Sequence, residues 1–437
     1  MRRRWLAVAA ATMTVLTACS GSGGDGGGSA AIASSDPGKV SGDITVLTNR
    51  TDLVSDGTLK KYAAEFNKVY PGVKVSFEGL TDYEGETKIR MTTENYGDVL
   101  LIPNSLSVGQ YPTFFAPLGS AADLSATFDY TDHATVGDKV YGIANFGVAN
   151  GFVYNKALWA KAGITDWPTT PDQFVADLQA IKDRTGATPY YTNYHDGWPL
   201  TNWTNAMGSP SCDSGAHDAL ATTAAPWSAG KDLYSADKLL YTVVHDKLSE
   251  ADPTTTNWEN SKALLGTGKV ASMWLGSWAV SQMQAAAKSA GQDPADIAFM
   301  PFPAQVDGHF CSVLRPDYQY AVNAHSEHKE AASAWVNWFI TKSGNAAAEG
   351  SISSVKGTAL PATVQPFQDK GVKFIPEAQA NAVQVAKIDK ASEIGITSQD
   401  YRQHLVDVAR GATGGDLDGF FADLDKKWSE ALNTIGG

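Results

Sequence analysis

The sequence lacks an excess of positive charge and, beyond its first residues, any long apolar run. Lys and Arg number 34 against 47 Asp and Glu, so the formal charge is −13. An acidic body argues against binding to nucleic acid and against lying flat on an anionic membrane. No later stretch reaches the roughly 18 consecutive apolar residues that indicate a membrane-spanning helix. We therefore expect no nucleic-acid partner and no membrane contact by the body of the chain.

The sequence also lacks the common motifs of metal sites and catalytic centres. Eight histidines are present, and His325 and His328 have helical spacing, but no third ligand accompanies them. Zinc-protease, nucleophile-elbow and P-loop patterns are absent. The sequence therefore predicts no metal, no cofactor and no enzyme activity.

Residues 1–19 have the pattern of an export signal. Arg2, Arg3 and Arg4 precede an apolar run at 5–16, which is too short to cross a bilayer core of about 30 Å. The run ends in Leu-Thr-Ala-Cys at 16–19, which resembles a bacterial lipobox, the signal for acylation of its cysteine. Gly and Ser then dominate 20–29, a composition that cannot order itself. We predict a signal peptide at 1–18, lipidation of Cys19 and a flexible linker at 19–41, with the acyl chains as the only membrane anchor.

The rest of the chain alternates strand and helix patterns. With 437 residues it is too long for one ordinary core, so we expect two lobes. Helical patterns include an expected helix from Thr170, which forms a capping box with Gln173, to Gly186. The other predicted elements are strands at 43–47, 73–77, 98–102, 270–275 and 297–301 and helices at 59–70, 331–339 and 417–432. This alternation predicts an α/β fold with mainly parallel sheets.

Polar and aromatic residues follow several of the predicted strands, at 48–50, 104–105, 194–203 and 276–278. In open α/β sheets, ligands bind beyond the carboxyl ends of the strands. These segments are therefore the candidates for a binding site.

Five segments, in this order, resemble extracellular solute-binding proteins of ABC importers, family 1, the group that contains maltose-binding protein. They are Tyr-Pro-Gly-Val-Lys-Val at 70–75, Gly-Asp-Val-Leu-Leu at 97–101, Tyr-Gly-Ile-Ala at 141–144 with Gly-Phe-Val-Tyr-Asn-Lys-Ala-Leu at 151–158, Gly-Lys-Val-Ala-Ser-Met at 268–273 with Gly-Ser-Trp-Ala at 276–279, and Ala-Val-Asn at 321–323 with Lys-Glu-Ala-Ala at 329–332. Each segment alone is only weakly specific for this family. Five of them in this order, behind a lipobox, are strongly specific for it. The resemblance covers roughly residues 42–437.

The resemblance implies a two-lobed, periplasmic-binding-protein-like (type II) fold with a hinge and a ligand cleft between the lobes. It places the first lobe at 42–147 and 318–345 and the second at 148–317 and 346–437. It further implies a monomer that captures a sugar or oligosaccharide outside the cell and delivers it to the permease subunits of an ABC importer.

A sugar site of this family combines aromatic rings, which stack on C–H faces, with polar groups that hold hydroxyls. Trp278 matches the family's aromatic platform. Two further candidates come from the densest aromatic run, at 191–203, and the others follow predicted strands or flank the two crossings between lobes. The predicted ligand-binding residues are Trp278, Tyr194, Trp203, Asn49, Arg50, Asn104, Asn145, Asp317 and Tyr318. For each of them, a role in the core or in a solvated loop is the alternative.

Other functions remain open from the sequence. A secreted glycoside hydrolase also stacks sugars on Trp and needs two carboxyls about 5–10 Å apart, which no motif marks. A scaffold or adhesin without a ligand, and a binding protein for peptides or polyamines, are further alternatives.

Two cysteines, Cys212 and Cys311, follow Cys19. Outside the cytoplasm they can form a disulfide, and the alternative is two buried thiols. If both lie on the second lobe, their bond leaves the hinge free to move.

Overall fold

A computed structural model of the chain describes residues 36–436. The predicted signal peptide, Cys19 and most of the predicted linker lie outside the described residues. The strands are β1 Ser41–Thr48, β2 Gly72–Gly79, β3 Val99–Leu101, β4 Phe115–Ala116, β5 Gly119–Ser120, β6 Thr135–Val136, β7 Lys139–Val140, β8 Ile143–Ala144, β9 Gly147–Asn155, β10 Ser272–Gly276, β11 Ile297–Met300, β12 Gln305–Val306, β13 His309–Pro316, β14 Gln319–Asn323 and β15 Lys373–Pro376. The helices are α1 Thr51–Ser55, α2 Thr58–Asn67, α3 Tyr83–Arg90, α4 Tyr111–Phe114, α5 Ala121–Ser125, α6 Lys156–Lys161, α7 Pro171–Thr185, α8 Trp198–Thr201, α9 Asp232–His245, α10 Trp258–Gly266, α11 Trp278–Ser289, α12 Lys329–Lys342, α13 Asn345–Ala348, α14 Gln365–Asp369, α15 Ala382–Ser392, α16 Gln399–Ala409 and α17 Leu417–Gly436.

The first sheet has the strand order β2-β1-β3-β14-β4, and β8 also pairs with β14. β1 lies between β2 and β3 and is parallel to both. β14 returns from a distant part of the sequence and runs antiparallel to β3. The strands predicted at 43–47, 73–77 and 98–102 are therefore confirmed, and the carboxyl ends of β1 and β3 lie at the edge of the sheet where β14 begins.

The second sheet is built around β9, the long strand that starts at Gly147. β9 runs antiparallel to β10, β11 and β13, and β15 is parallel to β13. The prediction of mainly parallel sheets is therefore wrong for this sheet. Strand–helix alternation normally implies parallel crossovers, but here one strand pairs in the opposite direction with three partners that come from much later in the chain.

Two separate hydrophobic cores are present. One contains buried residues from 40–143 and 320–339, and the other contains buried residues from 149–310 and 352–431. We call the parts around these cores the first lobe and the second lobe. β8–β9 and β13–β14 run side by side between them, with Ala144 opposite Gln319 and Gly147 opposite Pro316. The predicted lobe boundaries at 147/148 and 317/318 fall between the two cores and stay a prediction.

Local sequence signals explain the clearest helix, α7. The N–H of Gln173 donates to Thr170 Oγ1 at 3.1 Å, and Gly186 ends the helix with a left-handed φ of 71°. The Gln173 side chain returns to the N–H of Thr169 at 2.9 Å rather than to that of Thr170, so the capping box is offset by one residue. The apolar stripe is buried, as predicted, so propensity and packing agree here.

Cys212 and Cys311 form a disulfide, with their Cα atoms 5.4 Å apart. Cys311 lies on β13, and Gly208, four residues before Cys212, packs against Val313 of the same strand. The disulfide therefore lies within the second lobe and does not tie the lobes together. Within residues 36–436, no helix is both long and apolar enough to cross a membrane.

Candidate functional site

A cavity of about 1290 Å³ lies between the two lobes. On the first-lobe side it is lined by residues 102–111, which follow β3. On the second-lobe side it is lined by α15 and by the turn that follows α8. Its floor is formed by Arg315 of β13, Gln319 of β14 and Asp317 between these two strands. The fold thus brings together the end of β3, the start of β14 and a helical part of the second lobe.

Asn104 and Tyr318 meet at Glu84 on the first-lobe side. The backbone N–H of Asn104 donates to Glu84 Oε1 at 3.0 Å, and the Tyr318 hydroxyl donates to the same oxygen at 2.9 Å. Burial, with the negative charge of Glu84 added to it, raises the pKa of Tyr318 well above its ordinary value. The phenol therefore stays neutral and acts as a donor, while the exposed Asn104 side chain lines the cavity.

Arg50 reaches across to a segment that is attached to the second lobe. Its Nη1 donates to Glu349 Oε2 at 2.5 Å, and its Nε and Nη2 donate to Asp52 at 2.9 and 2.7 Å. The carbonyl oxygen of Glu349 accepts a hydrogen bond from Ser281 of α11 at 2.9 Å. Burial alone would lower the pKa of Arg50, but the two carboxylates outweigh burial and raise it. Arg50 is therefore a permanent cation that links the lobes beside the cavity.

Asp317 is half-buried on the cavity floor. Burial raises the pKa of its carboxyl to about 6, and the charge of Glu349 adds to this rise, whereas Arg50 opposes it. These interactions show that Arg50, Glu349 and Asp317 share one electrostatic environment. Arg50 and Glu349 therefore lie near the floor of the cavity, although neither of them lines it.

Three half-buried tryptophans, Trp198, Trp258 and Trp278, pack together in the second lobe and do not themselves line the cavity; we call them the tryptophan triad. Their ring centroids lie 4.9, 5.7 and 5.9 Å apart. Each is the first residue of a helix, namely α8, α10 and α11. The last residue of α8, Thr201, lines the cavity, so the triad and the cavity are adjacent.

Lys262, which lies beside the triad, is near enough to the first lobe for its charge to act on Asp52. The pKa of Asp52 on α1 is lowered, against the effect of burial, by Arg50 and to a smaller extent by Lys262 of α10. Lys262 in turn lies 5.1 Å from the ring centroid of Trp258. Trp258 was missed by sequence reasoning, because an Asn-Trp pair at a helix start gives no sign of which surface it faces. Trp198 belongs to the predicted aromatic run but was not selected from it.

Trp203 is a correction to the predicted site. Its side chain is only 1% exposed, its Nε1 donates to the Tyr190 hydroxyl at 3.0 Å, and its ring stacks on Trp274 with centroids 5.5 Å apart. Trp203 therefore lies in the core of the second lobe, where no ring face is open to a ligand. The prediction that it stacks on a sugar does not fit the structure.

Three other predicted residues, Tyr194, Asn145 and Asn49, do not line the cavity. Tyr194 packs against α16, where its hydroxyl donates to Asp407 at 3.0 Å, and it does not line the cavity. Asn145 is half-buried between the lobes, and its Oδ1 accepts from Asn345 Nδ2 at 3.2 Å. Asn49 is half-buried at the end of β1, next to Arg50. Binding roles for these three residues stay predictions.

Sequence reasoning also missed a row of polar side chains on the cavity wall, formed by Asn202, Asn205, Arg315, Glu377 and Gln379. These residues come from three separate segments of the sequence, so no local motif indicates that they lie together. Among residues 36–436, no group of three or more His, Cys, Asp or Glu side chains could hold a metal ion.

Comparison with known proteins identifies relatives over nearly the whole chain. A family model described as bacterial extracellular solute-binding protein matches residues 51–346. The multiple sugar-binding protein of Streptococcus mutans is 24% identical over 305 residues, which is 65% of this chain and 68% of that protein.

Two solved structures from Bifidobacterium animalis subsp. lactis are similar over about the full length. BlMnBP1, a binding protein of an ABC transporter in complex with mannobiose, is 31% identical with a TM-score of 0.86 and covers 91% of this chain and 96% of its own. BlMnBP2, a manno-oligosaccharide specific solute-binding protein in complex with mannotriose, is 30% identical with a TM-score of 0.85 and covers 90% and 95%. These structures confirm the predicted two-lobed α/β fold class.

Proposed function

The chain belongs to the family of bacterial extracellular solute-binding proteins, and we propose that it captures an oligosaccharide in the cleft between its lobes and delivers it to the permease of an ABC importer. The observation that carries this proposal is the cavity between the lobes, with polar side chains on its wall and floor and the tryptophan triad at its side. Aromatic faces match the C–H faces of a sugar, and the polar groups match its hydroxyls.

The size of the cavity favours an oligosaccharide over a single sugar ring. Sites for drug-sized ligands span about 300–1,000 Å³, and this cavity is larger, at about 1290 Å³. The relatives bind mannobiose and mannotriose. Mannose-containing di- and trisaccharides are therefore the first ligands to test.

Ligand capture is proposed to shift the equilibrium between open and closed arrangements of the lobes. A ligand that touches the first-lobe wall at 102–111 and the triad on the second lobe binds the closed form better, because only that form offers both surfaces at once. The disulfide within the second lobe leaves this motion unrestricted. The closed form is then the one presented to the permease.

We propose that the protein acts as a monomer without catalysis. Glu377, one of the carboxylates at the cavity, already accepts hydrogen bonds from Arg315 and Gln379. It is therefore not free to act as the acid or nucleophile of a glycosidase, and no sequence motif marks a pair of catalytic carboxyls. Export and acylation of Cys19 rest on the signal-like sequence before it and are part of the proposal.

Calorimetric titration tests the proposed function. Mannobiose, mannotriose, a chitin oligosaccharide, a tripeptide and spermidine are each added to the purified chain. We expect saturable binding of at least one saccharide in the micromolar range, equal to about −8 kcal/mol, with the saccharide recovered intact. Binding of the peptide or polyamine alone, or release of cleaved sugar, would contradict the proposal.

The raised pKa of Asp317 leads to a pH prediction. A carboxylate accepts stronger hydrogen bonds from sugar hydroxyls than a neutral carboxyl does. Saccharide binding then favours the ionised form of Asp317, whose pKa in the unliganded protein is about 6. The association constant should therefore rise as the pH increases through about 6 and should level off above it. Titration calorimetry between these limits measures the effect.

Asp317→Asn should remove this rise in the association constant. The matched control is Asp177→Asn, because burial also raises the pKa of Asp177 to about 6, but Asp177 lies on α7 and does not line the cavity. The control should keep the pH profile of the unmodified protein. A flat profile for the unmodified protein would show that Asp317 does not contact the ligand.

A further inference from the structure

Five polar side chains form a hydrogen-bonded row along the cavity wall. Arg315 donates through Nη2 to Glu377 and through Nη1 to Asn205 Oδ1. Gln379 Nε2 donates to the other carboxylate oxygen of Glu377 at 2.6 Å, and Asn205 Nδ2 donates to Asn202 Oδ1 at 3.3 Å. All five residues line the cavity. The row therefore runs from Gln379 to Asn202 without a break.

The chemistry of Arg315 fixes the direction of every hydrogen bond in the row. A guanidinium has only donors, so the atom of Asn205 that faces Arg315 must be the amide oxygen. The Asn205 nitrogen then points to Asn202 and must meet an acceptor, which makes the facing atom of Asn202 its oxygen. The amide nitrogen of Asn202 is left at the end of the row. The oxygen and nitrogen atoms of these side-chain amides are thus assigned from the hydrogen-bond network, because the two atoms are hard to distinguish otherwise.

The terminal donor has no partner within the protein. Asn202 Nδ2 is buried and donates to no atom of the described residues. Gln319 on the cavity floor shows the same feature, since this residue is only 6% exposed and its Nε2 also lacks a protein partner. A buried donor without an acceptor is costly and calls for an explanation. Two such donors at one cavity indicate that the acceptors come with a ligand.

The turn that carries Asn202 is held rigidly from behind. Arg402, which is fully buried, donates through Nη1 to Thr204 Oγ1 at 2.6 Å, and Thr204 Oγ1 donates to the carbonyl of Ile396 at 2.6 Å. In front, the Glu377 side chain is only 3% exposed and anchors Arg315. The donor is therefore preorganised rather than free to turn towards another partner.

We propose that Asn202 Nδ2 and Gln319 Nε2 donate hydrogen bonds to oxygen atoms of the bound saccharide, which makes Asn202 a specificity-determining residue and Arg315 a residue that positions it. This inference rests on the proposed function of the cleft. The ligand atoms that meet the two donors are acceptors, namely hydroxyl, ring or glycosidic oxygens. A polyamine, whose nitrogens are cationic donors, is rejected at this wall.

Mannotriose affinity of Asn202→Leu, measured by calorimetry, tests the inference. Leucine keeps the volume but not the donor, so we expect about tenfold weaker binding, as for loss of a hydrogen bond to a preorganised group. The control is Asn433→Leu, on the exposed surface of α17, which should leave affinity unchanged. Gln319→Met carries the same expectation as Asn202→Leu and serves as a second variant if the first does not fold.

Monodeoxy analogues of mannotriose distinguish a direct contact from a structural effect. One deoxy position should weaken binding to the unmodified protein but should cause no further loss in Asn202→Leu, because the contact is already absent. If the unmodified protein binds no saccharide, the proposed function fails and the inference with it. If it binds mannotriose and both variants stay within twofold of it, or if spermidine competes for the cleft, the inference alone is overturned.

Discussion

Replacement of Asp237 by alanine is expected to lower the free energy of unfolding of the second lobe by about 3–5 kcal/mol. Asp237 and Arg402 both have side-chain exposures of 0%, and Arg402 Nε donates to Asp237 Oδ1 at 2.8 Å. Asp237 Oδ2 also accepts from Trp227 Nε1 at 2.9 Å and from the Tyr401 hydroxyl at 3.0 Å. Without the carboxylate, a guanidinium charge stays buried with no counter-charge, and two more donors lose their acceptor.

Urea unfolding followed by tryptophan fluorescence measures this loss. Asp423→Ala is the matched control, because Asp423 pairs with Lys427 at 2.7 Å but the two side chains are 57% and 51% exposed. Breaking such a surface pair should cost no more than about 0.5 kcal/mol. The double variant Asp237→Ala/Arg402→Met should recover part of the loss, since it removes the unpaired charge. A loss below about 1 kcal/mol for Asp237→Ala, against the roughly 3–5 kcal/mol expected, would contradict this role of the buried ion pair.

Trp278→Ala is expected to weaken saccharide binding at least about tenfold, or 1.4 kcal/mol. Trp278 is the first residue of α11, one residue after the strand β10 ends, and its half-buried ring packs against Trp198 and Trp258. Truncation removes one stacking face and loosens its two neighbours. Fluorescence or calorimetric titration with mannotriose gives the affinity, and Trp278→Phe should retain part of it because a smaller ring still stacks.

Phe420→Ala is the matched control for an aromatic truncation. Phe420 is also half-buried, but it packs against His404 of α16, with centroids 5.3 Å apart, and does not line the cavity. Its loss should reduce stability and leave mannotriose affinity unchanged. If Trp278→Ala binds mannotriose as tightly as the unmodified protein does, Trp278 has no place in the site.

Local sequence signals predicted the elements that depend on neighbouring residues. The helix from Pro171 to Thr185 follows from its cap, its apolar stripe and the glycine after it, all within a short span. The strand β1 is likewise visible as a short apolar run. Strand direction in the second sheet was not predictable, because β9 meets β10 and β11 only after more than a hundred residues of intervening chain.

The candidate site was likewise predicted only where neighbouring residues determine it. The sequence pointed to Asn104, which follows a predicted strand, and to Asp317, which flanks a crossing between lobes that the family resemblance implies, and both line the cavity. It chose Trp203 wrongly, because an aromatic run does not reveal which ring faces the core. It missed Asn202, whose role depends on Arg315 more than a hundred positions away. The burial of a side chain, and its contacts with residues far along the chain, are properties of the folded protein. Patterns in a single sequence do not contain them.

Small-angle scattering with and without ligand tests the central claim most directly. That claim is that a saccharide is held between two lobes that move relative to each other. We predict that saturating mannotriose lowers the radius of gyration of the unmodified protein, and that Trp278→Ala needs at least about tenfold more mannotriose for half of that change. A radius of gyration that stays constant while calorimetry shows mannotriose bound would contradict the claim.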